Sequence, residues 1–105
     1  MVIQWSLKAR ERVKNIYLFY RERSERVATE MLGDFNNAAK RLAAYPQMAP
    51  REPFLADFSK TYRSFIVRKY FKIIYFVNEE KEEIVIATVW DNRQDPEKLK
   101  FEIDE

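Results

Sequence analysis

One stretch constrains this chain more than any other. From Ile84 to Trp90 the sequence reads Ile-Val-Ile-Ala-Thr-Val-Trp, and it then turns abruptly polar through Asp91, Asn92, Arg93, Gln94 and Asp95 to Pro96. A β-branched and aromatic run of that length reads as a strand buried on both faces, at the centre of a sheet. Pro96 ends any ladder, because proline has no backbone N–H to donate. Five consecutive polar side chains after a buried strand must sit at the rim of the sheet. The remaining residues are read as what is needed to bury this strand and frame its end.

With 105 residues the chain suffices for one domain, 1–105, and not for two. Eight Phe, six Tyr and two Trp against one Gly describe a packed composition rather than a disordered one. Cys and His are both absent. Disulfides, thiolate chemistry, Ser-His-Asp and Cys-His catalysis and the ordinary zinc sites are therefore excluded. No metal site and no cofactor are expected. No apolar run approaches the roughly 18 residues of a membrane span, and the chain opens into a charged segment without a signal-peptide pattern. The expectation is a cytoplasmic protein with no membrane partner.

Charge is uneven along the chain although the net is only +2. Residues 1–50 carry nine basic and five acidic side chains, and residues 51–78 six and two. Residues 79–105 carry four basic and ten acidic, so a basic body ends in an acidic segment. A basic face can attract phosphate or an acidic protein.

The periodicity supplies the order of elements. Val2 to Trp5 reads as a short strand. Ser6 is placed to cap a helix from Leu7 to about Arg23, with Ala9, Val13, Ile16, Tyr17 and Tyr20 on one face. Ser24 is placed to cap a second helix, with Ala28, Met31, Leu32, Phe35, Ala38, Ala39 and Leu42 at helical spacing. Gly33 lies inside that helix, where glycine costs about 1 kcal/mol relative to alanine. It reads either as a point of close helix approach or as a tolerated exposed position. The two helices form an antiparallel hairpin ending at Tyr45-Pro46.

Residues 45–61 form a long proline-rich linker, expected to wrap the surface with a short helical turn and to need cover for Phe54, Leu55 and Phe58. Strands follow at 62–68, at 71–77 and from Ile84, joined by turns, as an antiparallel meander. Pro96 to Lys100 begins a short terminal helix, and the acidic end from Phe101 to Glu105 is expected to be loose. The fold class is α+β: an N-terminal strand, a two-helix hairpin and a three-stranded meander completing a small twisted two-layer sheet domain.

That element order, the strand pair from Tyr62 to Val77 and above all the Ile84 to Pro96 stretch resemble the RelE/ParE superfamily of toxins from bacterial type II toxin–antitoxin systems. The ending Asp-Asn-Arg-Gln-Asp-Pro is similar to that of the ParE-like, plasmid-stabilisation subgroup. The resemblance implies a toxin neutralised by a cognate antitoxin, with operator DNA bound only through the antitoxin complex. It leaves two targets open. ParE-like members inhibit DNA gyrase by protein contact, whereas RelE-like members cut mRNA on the ribosome. An inactive homologue retained for antitoxin and operator binding is a third reading.

RNA cleavage at a 2′-hydroxyl needs a base, a clamp for the charged phosphate and an acid for the leaving oxygen. The available cations are Arg63, Arg68, Lys69 and Arg93, which would surround the phosphate if the chain were a nuclease. Arginine suits only the clamp. RNA-cleaving relatives place a Tyr or His just beyond the last strand, and nothing after Arg93 here is either. The acidic end also repels a polyanion. The ParE-like reading is therefore preferred, with Arg63, Asp91, Asn92, Arg93 and Gln94 as the partner-facing group. Arg63 and Arg93 also read as structural ion-pair partners of Asp91 or Asp95. The latter two suit turn and cap positions.

Overall fold

The structure is a computed structural model that describes residues 1–104. Strand β1 (Val2–Trp5) leads through Ser6 into helix α1 (Leu7–Arg21), and three residues later α2 (Glu25–Ala44) begins. A single 3₁₀ turn (Pro53–Leu55) interrupts the linker. Strands β2 (Arg63–Val67), β3 (Phe71–Asn78) and β4 (Glu83–Asp91) follow, and a 3₁₀ helix (Pro96–Glu102) closes the described chain. Both serine caps form: Ser6 Oγ accepts from Ala9 N at 3.0 Å and Ser24 Oγ from Val27 N at 3.2 Å. Each satisfies an amide that the first helical turn leaves without a partner.

The sheet order is β1-β4-β3-β2. β4 lies between β1, which it pairs in parallel, and β3, which it pairs antiparallel. The Ile84 run is thus interior to the sheet, as its composition requires. One face carries the helices, with Met31, Phe35, Ala39 and Leu42 of α2 packed with Ile73, Tyr75, Ile84 and Ile86. The other face is covered by Leu55, Leu99 and Ile103 against Tyr62, Ile74 and Trp90. A thin third layer therefore joins the two expected ones, which is why β4 has no polar alternation.

The register between β3 and β4 slips once. Ile74 pairs with Thr88 but Tyr75 pairs with Ile86, which makes Ala87 an extra residue, a β-bulge. Ile84 and Ile86 face the helices before it and Val89 after it, so the alternation changes phase at Ala87. The consequence is felt four residues on. Asp91 stands opposite Phe71, on the helix side of the sheet, where an unbroken strand would have aimed it at the opposite face.

The acidic end corrects the expectation of looseness. Phe101 and Glu102 lie inside the terminal 3₁₀ helix, and Leu99 and Ile103 are 0% and 8% exposed. Two apolar residues four apart fill the second face of the sheet, and Glu102 finds a cation on α1. Burial and a charge partner outweigh the net acidity of the segment. Glu105 falls outside the described residues.

Gly33 is a tolerated exposed position: a Cβ added there meets nothing within 4 Å.

Candidate functional site

The polar rim after β4 is built around Asp91. Its carboxylate accepts from the Arg93 backbone N–H at 2.9 Å, which folds the chain back after the strand. It also accepts a two-pronged bond from the Arg93 guanidinium, Nε at 2.9 Å and one terminal nitrogen at 2.8 Å. The same nitrogen reaches the Tyr20 hydroxyl on α1 at 3.4 Å. The guanidinium lies 4.7 Å over the Tyr70 ring and 5.7 Å from that of Phe71. The Arg93 hydrogen bond holds the Asp91 carboxyl below its usual range, and burial opposes that only in part. The same bond raises Arg93 further above its ordinary value. Asn92 N donates to Tyr70 O at 2.7 Å and carries the β3–β4 pairing one step past Asp91.

Lys69 joins this rim, with its ammonium 5.3 Å from the Tyr70 ring. Arg68 and Lys69 form the β2–β3 turn with φ of 52° and 72°, a conformation that side chains other than glycine adopt at a cost. Arg68 faces α2 instead, pairing with Asp34 at 2.7 Å. Arg63 lies at the other end of β2, about 13 Å of strand from Val67. Its guanidinium donates to Ala49 O at 2.7 Å and to the Gln47 side chain at 3.4 Å, tying the linker to the sheet. The structure thus brings Asp91, Asn92, Arg93 and Lys69 together and leaves Arg63 apart, with Gln94 on the lip of an adjacent cleft.

That cleft, about 380 Å³, opens between α1 and the end of β4. Its floor is apolar, made by Ile16, Phe19, Phe71 and Val89. Tyr20 stacks edge-on against both Phe19 and Phe71, at 5.1 and 6.4 Å. The wall opposite Arg93 is a second arginine–carboxylate fork. Arg12 donates to the two Glu102 oxygens at 2.6 and 2.9 Å, and the buried Thr88 hydroxyl donates to the same carboxylate at 2.9 Å. The Arg12 bond holds the Glu102 carboxyl low, and the reciprocal bond raises Arg12.

Sequence reasoning missed Tyr20, Arg12 and Glu102 as members of this rim. Tyr20 and Glu102 were hidden because the Ala87 bulge and the folding back of the end decide what lies near Asp91. Arg12 lies on α1, and its carboxylate partner is 90 positions away in the sequence. Lys72, a strand residue, is buried against Glu52 of the linker and projects no charge into the cleft.

A second groove, about 470 Å³, runs between α1, α2 and β1. Trp5, Val13, Tyr17, Leu32 and Phe35 line it, with Arg10 and Lys14 at its border. Among the described residues no carboxylates cluster closely enough to hold a metal ion, and no helix is long and apolar enough to cross a membrane.

The chemistry of the rim follows from its pairing. Each arginine on the cleft has its own carboxylate, so the local charge is nearly balanced. A phosphate would have to compete with Asp91 and Glu102 for the guanidinium groups, in a place where both carboxylates repel it. The arrangement presents shape, aromatic surface and paired charge.

Comparison with known proteins agrees with this fold. The family model for the ParE toxin of type II toxin-antitoxin systems, parDE, matches residues 3–96. The chain belongs to the ParE toxin family. Among solved structures it is similar to a chain described as the chromosomal ParDE TA system from P. aeruginosa. The TM-score is 0.68 at 21% identity, covering 87% of this chain and 95% of that one. No curated protein sequence matches it significantly.

Proposed function

We propose that this chain is a ParE-like toxin that acts in the cytoplasm by binding DNA gyrase, without bond-breaking chemistry of its own, and that a cognate antitoxin neutralises it. The observation that carries this reading is the charge balance of the rim. Arg93 is held by Asp91 and Arg12 by Glu102, and the sequence holds no His to accompany them. A site that must hold a pentavalent phosphate needs unpaired cations and a proton acceptor. A site that must fit a protein surface needs neither. Membership of the ParE family supports the same conclusion.

The groove between α1 and α2 is the surface the antitoxin covers. It is apolar along its length and bordered by Arg10 and Lys14, so it suits an amphipathic segment carrying acidic side chains. Operator DNA is then reached only through the antitoxin in the complex, a role consistent with plasmid stabilisation.

One feature favours the ribonuclease alternative: Lys69 and Arg93 do converge on one exposed tyrosine, Tyr70. Primer extension on a defined mRNA in a reconstituted translation reaction separates the two. Full-length extension products are expected. Cuts in register with codons, lost on Arg93→Ala, would replace the gyrase reading with a ribosome-dependent nuclease.

A further inference from the structure

We propose that the cleft between α1 and the end of β4 is where the toxin grips its target, and that its occupant is an uncharged, extended protein segment inserting one large apolar side chain. The inference rests on the reading that the toxin acts by protein contact, and it names the surface and the chemistry of the partner.

Three observations carry it. First, the floor of Ile16, Phe19, Phe71 and Val89 is apolar, and about 380 Å³ is ample for a leucine, phenylalanine or tryptophan side chain. Phe19 is 55% exposed and gains most from being covered. Second, the two charged walls are internally neutralised. Arg12 with Glu102 and Arg93 with Asp91 are both two-pronged pairs, so neither a polyanion nor a basic peptide finds an unanswered charge. A neutral segment loses nothing by lying between them, and the pairs form a polar surround that excludes water from the anchor. Third, Asn15 on α1 and Gln94 after β4 border the cleft, and among the described residues neither side-chain amide has a hydrogen-bond partner. A carboxamide offers one acceptor and two donors. Two of them across an apolar floor match the C=O and N–H groups of an extended backbone.

The cleft lies on the opposite flank of α1 from the antitoxin groove. Arg12, Asn15, Ile16 and Phe19 face the cleft, while Arg10, Val13, Lys14 and Tyr17 face the groove. The two surfaces are therefore separable by mutation on one helix.

The test uses Asn15→Arg and Gln94→Arg. Both positions are exposed, so the fold should tolerate them, and each places an unpaired cation where a neutral segment must lie. Arg51→Glu, away from the cleft, is the control. Each form is produced in bacteria lacking the antitoxin to read growth arrest, titrated against purified gyrase to read supercoiling inhibition, and tested for antitoxin binding to verify the fold. Both cleft variants should lose growth arrest, weaken gyrase inhibition roughly thirtyfold and bind antitoxin as wild type does, while Arg51→Glu behaves as wild type in all three. Growth arrest undiminished in both cleft variants overturns the cleft. So does loss of antitoxin binding by a variant that still melts cooperatively, because the cleft would then belong to the antitoxin. Wild-type protein that arrests growth through the cleft yet leaves gyrase untouched overturns the gyrase reading and leaves the cleft standing. Wild-type protein that does not arrest growth overturns both.

Discussion

Replacing Lys72 with methionine should be among the most damaging single changes outside the apolar core. Lys72 sits on β3 and pairs with Glu52 of the linker. The Glu52 side chain is 0% exposed and the Lys72 side chain 13%. Glu52 also accepts from the Phe54 N–H at 2.9 Å, capping the 3₁₀ turn that lays Leu55 on the second face of the sheet. Lys72→Met keeps the aliphatic stem and removes the charge. The carboxylate is then buried without a counter-ion, a situation that costs about 3–5 kcal/mol. In a domain of this size each kcal/mol moves the melting temperature by about 5 °C, so a fall of about 15–25 °C is expected. Adding Glu52→Gln removes the stranded charge and retains an acceptor for the Phe54 amide. The double variant should therefore recover at least about 2 kcal/mol, appearing as strong non-additivity in a double-mutant cycle. Urea denaturation followed by tryptophan fluorescence measures all four forms. A loss under about 1 kcal/mol for Lys72→Met, or additive single effects, would refute the claim that the linker is pinned by a buried ion pair.

Gly33→Ala should stabilise α2 by up to about 1 kcal/mol, since its new methyl meets no neighbour; a lower melting temperature would contradict this. Ser24→Ala should cost about 1 kcal/mol by leaving the Val27 amide uncapped, again read by denaturant midpoint. Glu102 titrates below the ordinary glutamate range when folded, so its contribution is complete above that range and is lost as pH falls through the folded value. Glu102→Gln should therefore be less stable than wild type near neutrality and lose less stability on acidification between about pH 5 and pH 3, in urea titrations at each pH. Asp91 is lowered too, so a residual acid dependence should persist.

How much could be read from residues alone depended on the range of the interactions. Both helices, their serine caps and the interior position of β4 are local consequences of period and composition, and they were legible. The α+β order followed from them. The bulge at Ala87 was not, because nothing in Ile-Val-Ile-Ala-Thr-Val-Trp marks which residue is doubled. It decides the side on which Asp91 stands, and so which residues share the rim. The pairing of Arg93 with Asp91, two residues apart, was within reach of sequence reasoning and was one of the two roles considered. The Arg12–Glu102 pair spans 90 positions, and no local signal announces it. The tail was misjudged for a related reason: its net charge is visible in the sequence, whereas the cover that Leu99 and Ile103 give to Trp90 is a property of the fold. Arg63 resembled a rim cation by type, but its place at the start of β2 sets it to bind the linker.

Under the function proposed above, the toxin grips gyrase and does not cleave RNA. The decisive measurement is supercoiling of relaxed plasmid by purified gyrase, titrated with the toxin in the absence and presence of its antitoxin. Supercoiling should fall as toxin is added and return when antitoxin is supplied in equal amount. Supercoiling that proceeds unchanged at toxin concentrations that arrest growth would contradict that function.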